Sequence, residues 1–441
     1  MYDWMHSHFR VLLLLAALPL LAADESQLAQ SLRAQSDFDR VQLSAIPKLP
    51  DTQVCVQSEA ALASVASATE LPLVYYRKGY CELTGATLNH WSQAYAQAAA
   101  DFDKAIQAWP ARAAAAPKRA PVEPVSSGLQ ALSSVAKLHA DPDEAAIDKA
   151  RQQLSTAVEN SVCPSSVMSV DFCRAVLSTA RQWLGWIAIR KGEWDVAERD
   201  FAAQPDSPWA FWVAGHQAFA QGRYPEAASR YGKAMEIWND LRELPAPSFT
   251  QRLRPQPDTG PFLADLGGAQ LLADDTVAAM KTLDTAIKTD PNDARAIFLR
   301  ARTEEVSGRP EQAESDLSLA SRTAFAGAKD LQSGEAHLYR GILLYRRHDF
   351  PRAEAEFASA LNFDIPVTLR PDAEAWRNLA AVAGGSCGSS RERLEQSLAS
   401  ASPFFPKQEA QKLVVSCSLT SGVGDATKVA GSSGAAGASL K

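Results

Sequence analysis

The chain has 441 residues, of which 46% are hydrophobic and 22% are charged, and its formal net charge is −7. Its length would ordinarily correspond to about three domains, but a repeat protein can use the same length as one continuous array. The acidic balance argues against binding of a nucleic-acid backbone as the main activity, because that activity needs a clustered basic surface.

Residues 1–23 are predicted to be a signal peptide. Arg10 precedes the apolar run Val11–Ala23, and the polar residues Asp24–Ser26 follow it. The run is shorter than the roughly 20 apolar residues of a membrane-spanning helix, and it ends in small residues, as signal peptides do. We therefore expect export to the periplasm or cell envelope, with secretion as a further destination and an uncleaved membrane anchor as the alternative. No later segment is predicted to span a membrane.

The six cysteines form three couples that are local in the sequence. An exported protein can keep disulfides, and this clustering favours pairing within each couple, although other connectivities and free buried thiols stay open. The predicted pairs are Cys55 with Cys81, Cys163 with Cys173, and Cys387 with Cys417.

The region before the main array is predicted to be helical with one proline-rich interruption. Residues 24–109 form an irregular N-terminal helical region, and residues 127–177 form a second helical segment that contains the Cys163/Cys173 loop. Between them, residues 110–126 are rich in proline and alanine, and prolines at this density favour an extended spacer. Its prolines are Pro110, Pro117, Pro121 and Pro124.

The stretch Ala214–Ala234 predicts two packed antiparallel helices. Gly222 suits the turn between them, because glycine adopts a positive φ without a Cβ penalty. Ala227 and Ala234 allow the second helix to approach the first closely, and Tyr224 packs back on the pair.

The same spacing of small and aromatic residues recurs along residues 178–417. Its landmarks are Gly185, Gly192, Trp194, Ala197 and Phe201; then Gly267, Ala279, Ala286 and Pro291; then Gly308, Ala313 and Ala320; then Gly341, Phe350, Ala353, Phe357 and Ala360; and finally Trp376, Asn378 and Leu379. This pattern resembles the tetratricopeptide repeat. The resemblance extends to a divergent hairpin in the N-terminal region that ends at Asp101–Pro110. It implies an all-α fold, a right-handed α-solenoid of helical hairpins.

Three further segments interrupt or end the array. Residues 240–261 contain five prolines and are predicted to be a long exposed insertion between two hairpins. Pro406–Val415 is predicted to be a capping helix, because the last unit of an array would otherwise leave its apolar face in water. Residues 418–441 are poor in large apolar side chains and are predicted to be a disordered tail.

The resemblance also implies a function, a scaffold that binds a protein or peptide segment on its concave surface. The inward-facing positions of the family give a candidate partner-binding set: Trp186, Arg190, Trp209, Trp212, His216, Phe219, Arg295, Phe298, Arg302, Tyr345, Arg346 and Arg377. Aromatic side chains provide rigid contact area, and arginines bind carboxylates through two parallel hydrogen bonds. The alternative for the aromatics is packing between repeats, and for the arginines a solvated surface. The carboxylate clamp of co-chaperones is absent, since the matching positions are Gln182, Trp186 and Ala264.

No sequence motif predicts an enzyme, a metal site or a cofactor. The chain has no glycine-rich phosphate loop, no His-Glu-x-x-His motif and no nucleophile elbow, and its seven histidines are scattered. Two alternatives to a scaffold with an unidentified protein partner stay open. One is a self-assembling, homo-oligomeric envelope protein, and the other is an enzyme with an unrecognised site in residues 54–175.

Overall fold

The computed structural model describes residues 66–417, except 90–91, 116–123, 141, 166–167, 205, 245–247, 328–332 and 364, together with a few positions between 56 and 63. The predicted signal peptide, Cys55 and the predicted tail lie outside the described residues. The described part of the chain consists of helices joined by turns and contains no strand. The predicted all-α fold is therefore confirmed.

The chain divides into two compact units. Unit 1 comprises residues up to Val213 together with Glu236–Pro257, and unit 2 comprises Ala214–Met235 together with the residues from Asp258 onward. The first helices in chain order are α1 (Leu71–Asn89), α2 (Ser92–Ala115), α3 (Ser127–His139), α4 (Glu144–Asn160), α5 (Val170–Arg190), α6 (Trp194–Ala202), α7 (Pro208–Ala220), α8 (Tyr224–Glu243) and α9 (Phe249–Arg252). They are followed by α10 (Thr259–Leu272), α11 (Thr276–Thr289), α12 (Ala294–Val306), α13 (Pro310–Gly327), α14 (Gly334–Arg346), α15 (Phe350–Asn362), α16 (Arg370–Ala383), α17 (Ser389–Ser397) and α18 (residues 407–417).

Close contacts inside the hairpins explain the spacing of small residues in the sequence. A Cβ built on Gly215 of α7 would lie 2.7 Å from the Tyr231 ring of α8, and one on Gly341 of α14 would lie 2.5 Å from the Phe357 ring of α15. Such distances are far below van der Waals contact, so only glycine lets the two helices approach this closely. The same relation holds for Gly185 with Phe201 and for Gly267 with Leu283.

Unit 1 contains a correction to the predicted exposed insertion. Phe249 and Leu253 are only 6% and 1% exposed, and both belong to the hydrophobic core of unit 1. The short helix α9 begins with a capping box, in which Ser248 and Gln251 satisfy each other's backbone N–H groups. The part of the predicted insertion from residue 248 to residue 257, which we call the insertion, is therefore largely buried.

Helix α2 continues through Pro110 to Ala115, beyond the predicted start of the spacer. A proline inside a helix removes one backbone hydrogen bond and costs about 3 kcal/mol. Trp109, only 2% exposed, anchors this part of α2 in the core of unit 1, and this packing offsets the cost.

Two cysteine couples have the predicted geometry. The sulfur atoms of Cys163 and Cys173 lie at bonding distance with their Cα atoms 5.8 Å apart, and those of Cys387 and Cys417 do so with Cα atoms 5.4 Å apart. The pairing of Cys81 with Cys55 involves a residue outside the described part.

Candidate interaction surfaces

The predicted binding residues Trp186 and Arg190 of unit 1 lie on α5 and contact each other. The Arg190 guanidinium lies 5.2 Å from the centre of the Trp186 ring and forms an ion pair with Glu144 at 2.6 Å. The Trp186 ring packs edge-on against Trp183, with ring centres 5.2 Å apart. Arg190 is exposed, and its charge is already paired.

Trp209 and Trp212 of α7 are packed inside unit 1. Trp209 is 7% exposed, and its Nε1 donates a hydrogen bond to the Pro255 carbonyl at 2.9 Å. The half-buried Trp212 packs against both Trp209 and Trp194, with ring centres 5.9 Å and 5.8 Å away. Packing, the alternative given for these aromatics, is what the structure shows for Trp209.

The insertion is fixed to unit 1 by uncharged donors that bind its backbone carbonyls. Trp183 Nε1 donates to the Leu253 carbonyl at 2.8 Å, and His139 Nε2 lies 3.1 Å from the same oxygen. The Phe249 ring lies 5.0 Å from the Tyr80 ring on α1. His139 and Trp183 were missed from the sequence, and the available signal was the pair of large apolar residues Phe249 and Leu253 among the prolines.

In unit 2, the first helices of successive hairpins form a surface that contacts the chain's own C-terminal segment (residues 402–417). The Phe404 ring lies 6.1 Å from Phe219 of α7. A Cβ built on Gly268 of α10 would lie 3.2 Å from Phe404 Cζ, so the missing side chain makes room for this ring. Arg302 Nη2 of α12 donates to the Phe404 carbonyl at 3.1 Å. We call this surface the first-helix surface of unit 2.

Arg302 and Arg346 share one carboxylate. Both guanidinium groups form ion pairs with Glu305, and all three side chains are largely buried. Burial, together with the neighbouring charge of Arg346, lowers the pKa of Arg302 to about 10. The two arginines are therefore held within the surface and do not extend freely into solvent.

The rest of the C-terminal segment is held by α14 and α16. The Tyr345 hydroxyl donates to Glu409 Oε1 at 2.7 Å, and Phe405, 3% exposed, packs edge-on against Trp376 with ring centres 5.2 Å apart. Asp372 accepts hydrogen bonds from the Ser402 backbone N–H and hydroxyl, each at 2.6 Å. Burial raises the pKa of Asp372, and these bonds oppose that shift. The helix predicted as a cap therefore starts from a segment bound along the first helices.

The structure brings together Phe219, Arg302, Tyr345 and Arg346 of the predicted set, and it places the others elsewhere. Arg295 forms an ion pair with Asp265 at 2.6 Å. His216 is half-buried, and burial lowers its pKa. The Phe298 ring stacks on the Tyr339 ring, with centres 4.8 Å apart. Arg377 lines a separate cleft with Glu374 and Arg393. The pair Phe404–Phe405 was missed, and its signal was two adjacent aromatics between Pro403 and Pro406.

The described residues offer no evident metal centre or membrane span. Within them, no three or more His, Cys, Asp or Glu side chains group closely enough to hold a metal ion. None of the helices in these ranges combines the length and apolar character that crossing a bilayer requires.

No family model and no curated protein match the sequence, and the solved structures that align with it do so at low identity. A thermophilic TPR protein of Thermus thermophilus aligns over 48% of this chain and 100% of its own, with 19% identity and a TM-score of 0.34. A tetratricopeptide repeat protein of Parabacteroides merdae aligns over 68% and 99%, with 13% identity and a TM-score of 0.38. A TPR repeat-containing protein of Cytophaga hutchinsonii aligns over 64% and 94%, with 17% identity and a TM-score of 0.32.

The chain has the tetratricopeptide-type hairpin fold. Its own hairpins carry this assignment, with glycines at the helix crossings and large side chains opposite them. The resemblance predicted from the sequence is thus confirmed at the level of the fold.

Proposed function

We propose that the protein is a non-enzymatic interaction scaffold that binds a segment of a partner protein on the first-helix surface of unit 2. One observation supports this function above all others: the surface already binds a segment of its own chain, a turn at residues 402–406 followed by helix α18. An aromatic ring lies beside Gly268, an arginine binds the backbone carbonyl of Phe404, and a tyrosine hydroxyl binds the Glu409 carboxylate. Aromatic, arginine and tyrosine contacts of this kind are typical of peptide recognition.

The partner segment would replace residues 402–409. Its chemistry follows from the groups it must satisfy: an aromatic side chain at the position of Phe404, a second at that of Phe405, and a carboxylate within reach of Tyr345. Competition with the chain's own segment would lower the apparent affinity for any partner, because only the fraction with an open surface is competent to bind.

A direct test uses a chain that ends at residue 399, with Cys387→Ser, and a synthetic peptide of residues 400–417 with Cys417→Ser. We expect the peptide to bind with a Kd in the micromolar range or tighter, measured by calorimetry. The truncated chain should also capture partner proteins from the native cell envelope, and the same peptide should displace them. A peptide that does not bind, while the truncated chain keeps its helicity, would contradict the proposal.

Two glycine substitutions separate the surface from the rest of the fold. Gly268→Leu places a side chain where the Phe404 ring lies and should abolish peptide binding and partner capture. Gly232→Leu is the matched control, because nothing lies within 4 Å of a Cβ built on that helical glycine. Capture that survives Gly268→Leu would place the partner elsewhere on the molecule.

We also propose that the protein is exported to the periplasm or cell envelope. The apolar run Val11–Ala23 and the two cysteine couples at bonding distance support this destination. Mass spectrometry of the mature protein should find an N-terminus near Asp24 and disulfide-linked peptides, whereas an intact N-terminus with free thiols would contradict export.

A further inference from the structure

Unit 1 contains a cavity of about 350 Å³ that the proposed scaffold does not use. Helices α2, α3, α7 and α8 contribute to its walls, and the insertion closes it along one side. Small-molecule sites typically have volumes of roughly 300–1,000 Å³. The side chains that matter here are Tyr95, His139, Trp209, Trp238, Arg252 and Arg254.

One part of the lining is flat and apolar. The Tyr95 and His139 rings are stacked, with centres 4.7 Å apart and planes 13° from parallel. Trp209 and Trp238 line the same cavity. Burial lowers the pKa of His139, with an opposing contribution from its bond to the Leu253 carbonyl, so the imidazole is neutral at physiological pH. These four rings favour an apolar, planar ligand.

The other part of the lining is cationic. In the described part of the chain the Arg254 guanidinium forms no ion pair, and its buried Nε has no hydrogen-bond partner. Burial lowers the pKa of Arg254, and the negative charge of Asp206 opposes this shift. Arg252 and the exposed Arg242 also line the cavity and likewise form no ion pair with any described residue. A half-buried guanidinium whose buried Nε lacks a hydrogen-bond partner is costly, and a bound anion would lower that cost.

We propose that this cavity binds a small aromatic carboxylate, with its carboxylate on Arg254 and its ring among Tyr95, His139, Trp209 and Trp238. An inorganic anion would pair with the arginine but would make no contact with the aromatic walls, and an uncharged aromatic would do the reverse. Guanidinium groups bind carboxylates through two parallel hydrogen bonds, which also orients the ring. A cavity of this volume has room for about ten water-sized groups, enough for a bicyclic ring with a short acidic side chain.

Calorimetry on the full chain with three probes tests the chemistry. Indole-3-acetate should bind saturably at one site, while the uncharged indole-3-acetamide should bind at least about tenfold more weakly, because it forfeits the charge-assisted bonds. Inorganic phosphate should show no measurable binding. Equal binding of acid and amide, saturable phosphate binding of similar strength, or no binding of the acid would each overturn the proposal.

A pair of arginine variants tests the position of the site. Arg254→Gln should weaken indole-3-acetate binding at least about tenfold, and Arg199→Gln, an exposed residue of α6 outside the cavity, should leave it unchanged. Unchanged binding by Arg254→Gln would overturn the assignment. If this variant proves unstable in a thermal melt, the acid-against-amide comparison on the unmodified protein decides. Failure of this site would leave the peptide test on unit 2 unaffected.

Discussion

Each unit binds a non-repeat segment of its own chain, but the two segments are held by different chemistry. In unit 1, neutral side chains such as Trp183 and Trp209 bind backbone carbonyls of the insertion. In unit 2, charged groups bind the C-terminal segment, among them Arg302 and Asp372, and the sulfur of its last residue, Cys417, lies at bonding distance from that of Cys387.

This difference separates a structural element from a replaceable one. The buried tryptophans of unit 1 can donate to the carbonyls of the insertion only while the insertion keeps its position. Moving it would leave buried carbonyls unpaired, at a cost of about 1–3 kcal/mol each. A segment held by hydrogen bonds to charged side chains, with one cysteine pair at bonding distance, can be displaced by a competitor that supplies the same groups. Under the proposed function, the insertion is a fixed part of unit 1, whereas the C-terminal segment would limit access to the first-helix surface of unit 2.

The largest effect is expected from removing the aromatic anchor of each segment. Phe249→Ala and Phe405→Ala each delete a buried ring, which typically costs about 3–5 kcal/mol. Hydrogen exchange should show that Phe405→Ala exposes residues 402–417 alone, while Phe249→Ala lowers the protection of all of unit 1. Val277→Ala, at a side chain that is 82% exposed, should change stability by less than about 0.5 kcal/mol. Equal, global effects of both ring deletions would remove the distinction between the segments.

The cysteine link should have the next largest effect. Cys387 and Cys417 are separated by 30 residues, and closing a loop of that length stabilises the fold by roughly 3–4 kcal/mol in the chain-entropy treatment. Cys417→Ser should therefore speed hydrogen exchange in residues 402–417 and raise partner capture. The insertion contains no cysteine and should be unaffected.

Cys173→Ser is the matched comparison for the cysteine link. Its loop spans 10 residues, so the expected loss is roughly 1 kcal/mol smaller. Peptides from an unreduced digest identify the link directly. Free Cys387 and Cys417 in the native protein would contradict both the link and its effect.

The repeats could be predicted from the sequence because their packing is local. Gly185, Gly215, Gly267 and Gly341 each oppose a large residue of the next helix, and this relation recurs at a fixed spacing. The turn at Gly222 has φ +74°, as its position between two helices indicated. A spacing rule of this kind gives the hairpins and the phase of their first helices, and it selected Phe219, Arg302 and Tyr345, which contact the chain's own C-terminal segment.

The two bound segments could not be predicted because their contacts are distant in the sequence. Prolines around Phe249 indicated an exposed excursion, yet the ring reaches Tyr80, which is far from it along the chain. Likewise Arg302 was predicted to bind a partner. In the structure it donates a hydrogen bond to the carbonyl of Phe404, which lies about a hundred positions further along the chain. Periodicity gives no information on which part of a chain will lie on a surface that the repeats create.

Buried charge also differs between the units, and the smallest of the predicted effects tests it. Unit 1 contains Glu82, 6% exposed, beside Asp101 and 3.1 Å from Lys78 Nζ. Burial first, and then the charge of Asp101, raises the pKa of Glu82 to about 7. Because this pKa is above that of the unfolded chain, the contribution of Glu82 to stability is full below about pH 4.5 and is lost as the pH rises through about 7. Asp101, whose pKa is lowered, loses its own contribution only at lower pH and so does not cancel the effect.

Glu82→Gln fixes the neutral form, so the free energy of unfolding should become nearly independent of pH between about 5 and 8, where the unmodified protein loses roughly 2 kcal/mol. Urea titrations at several pH values measure this slope, and Glu159→Gln, at an exposed residue of α4, should keep the unmodified profile. A slope that survives in Glu82→Gln would mean that another group carries it. Hydrogen exchange can follow the pH dependence of stability in each unit separately. If Glu82→Gln removes this dependence in unit 1 but not in unit 2, the two units respond to pH through different buried charges.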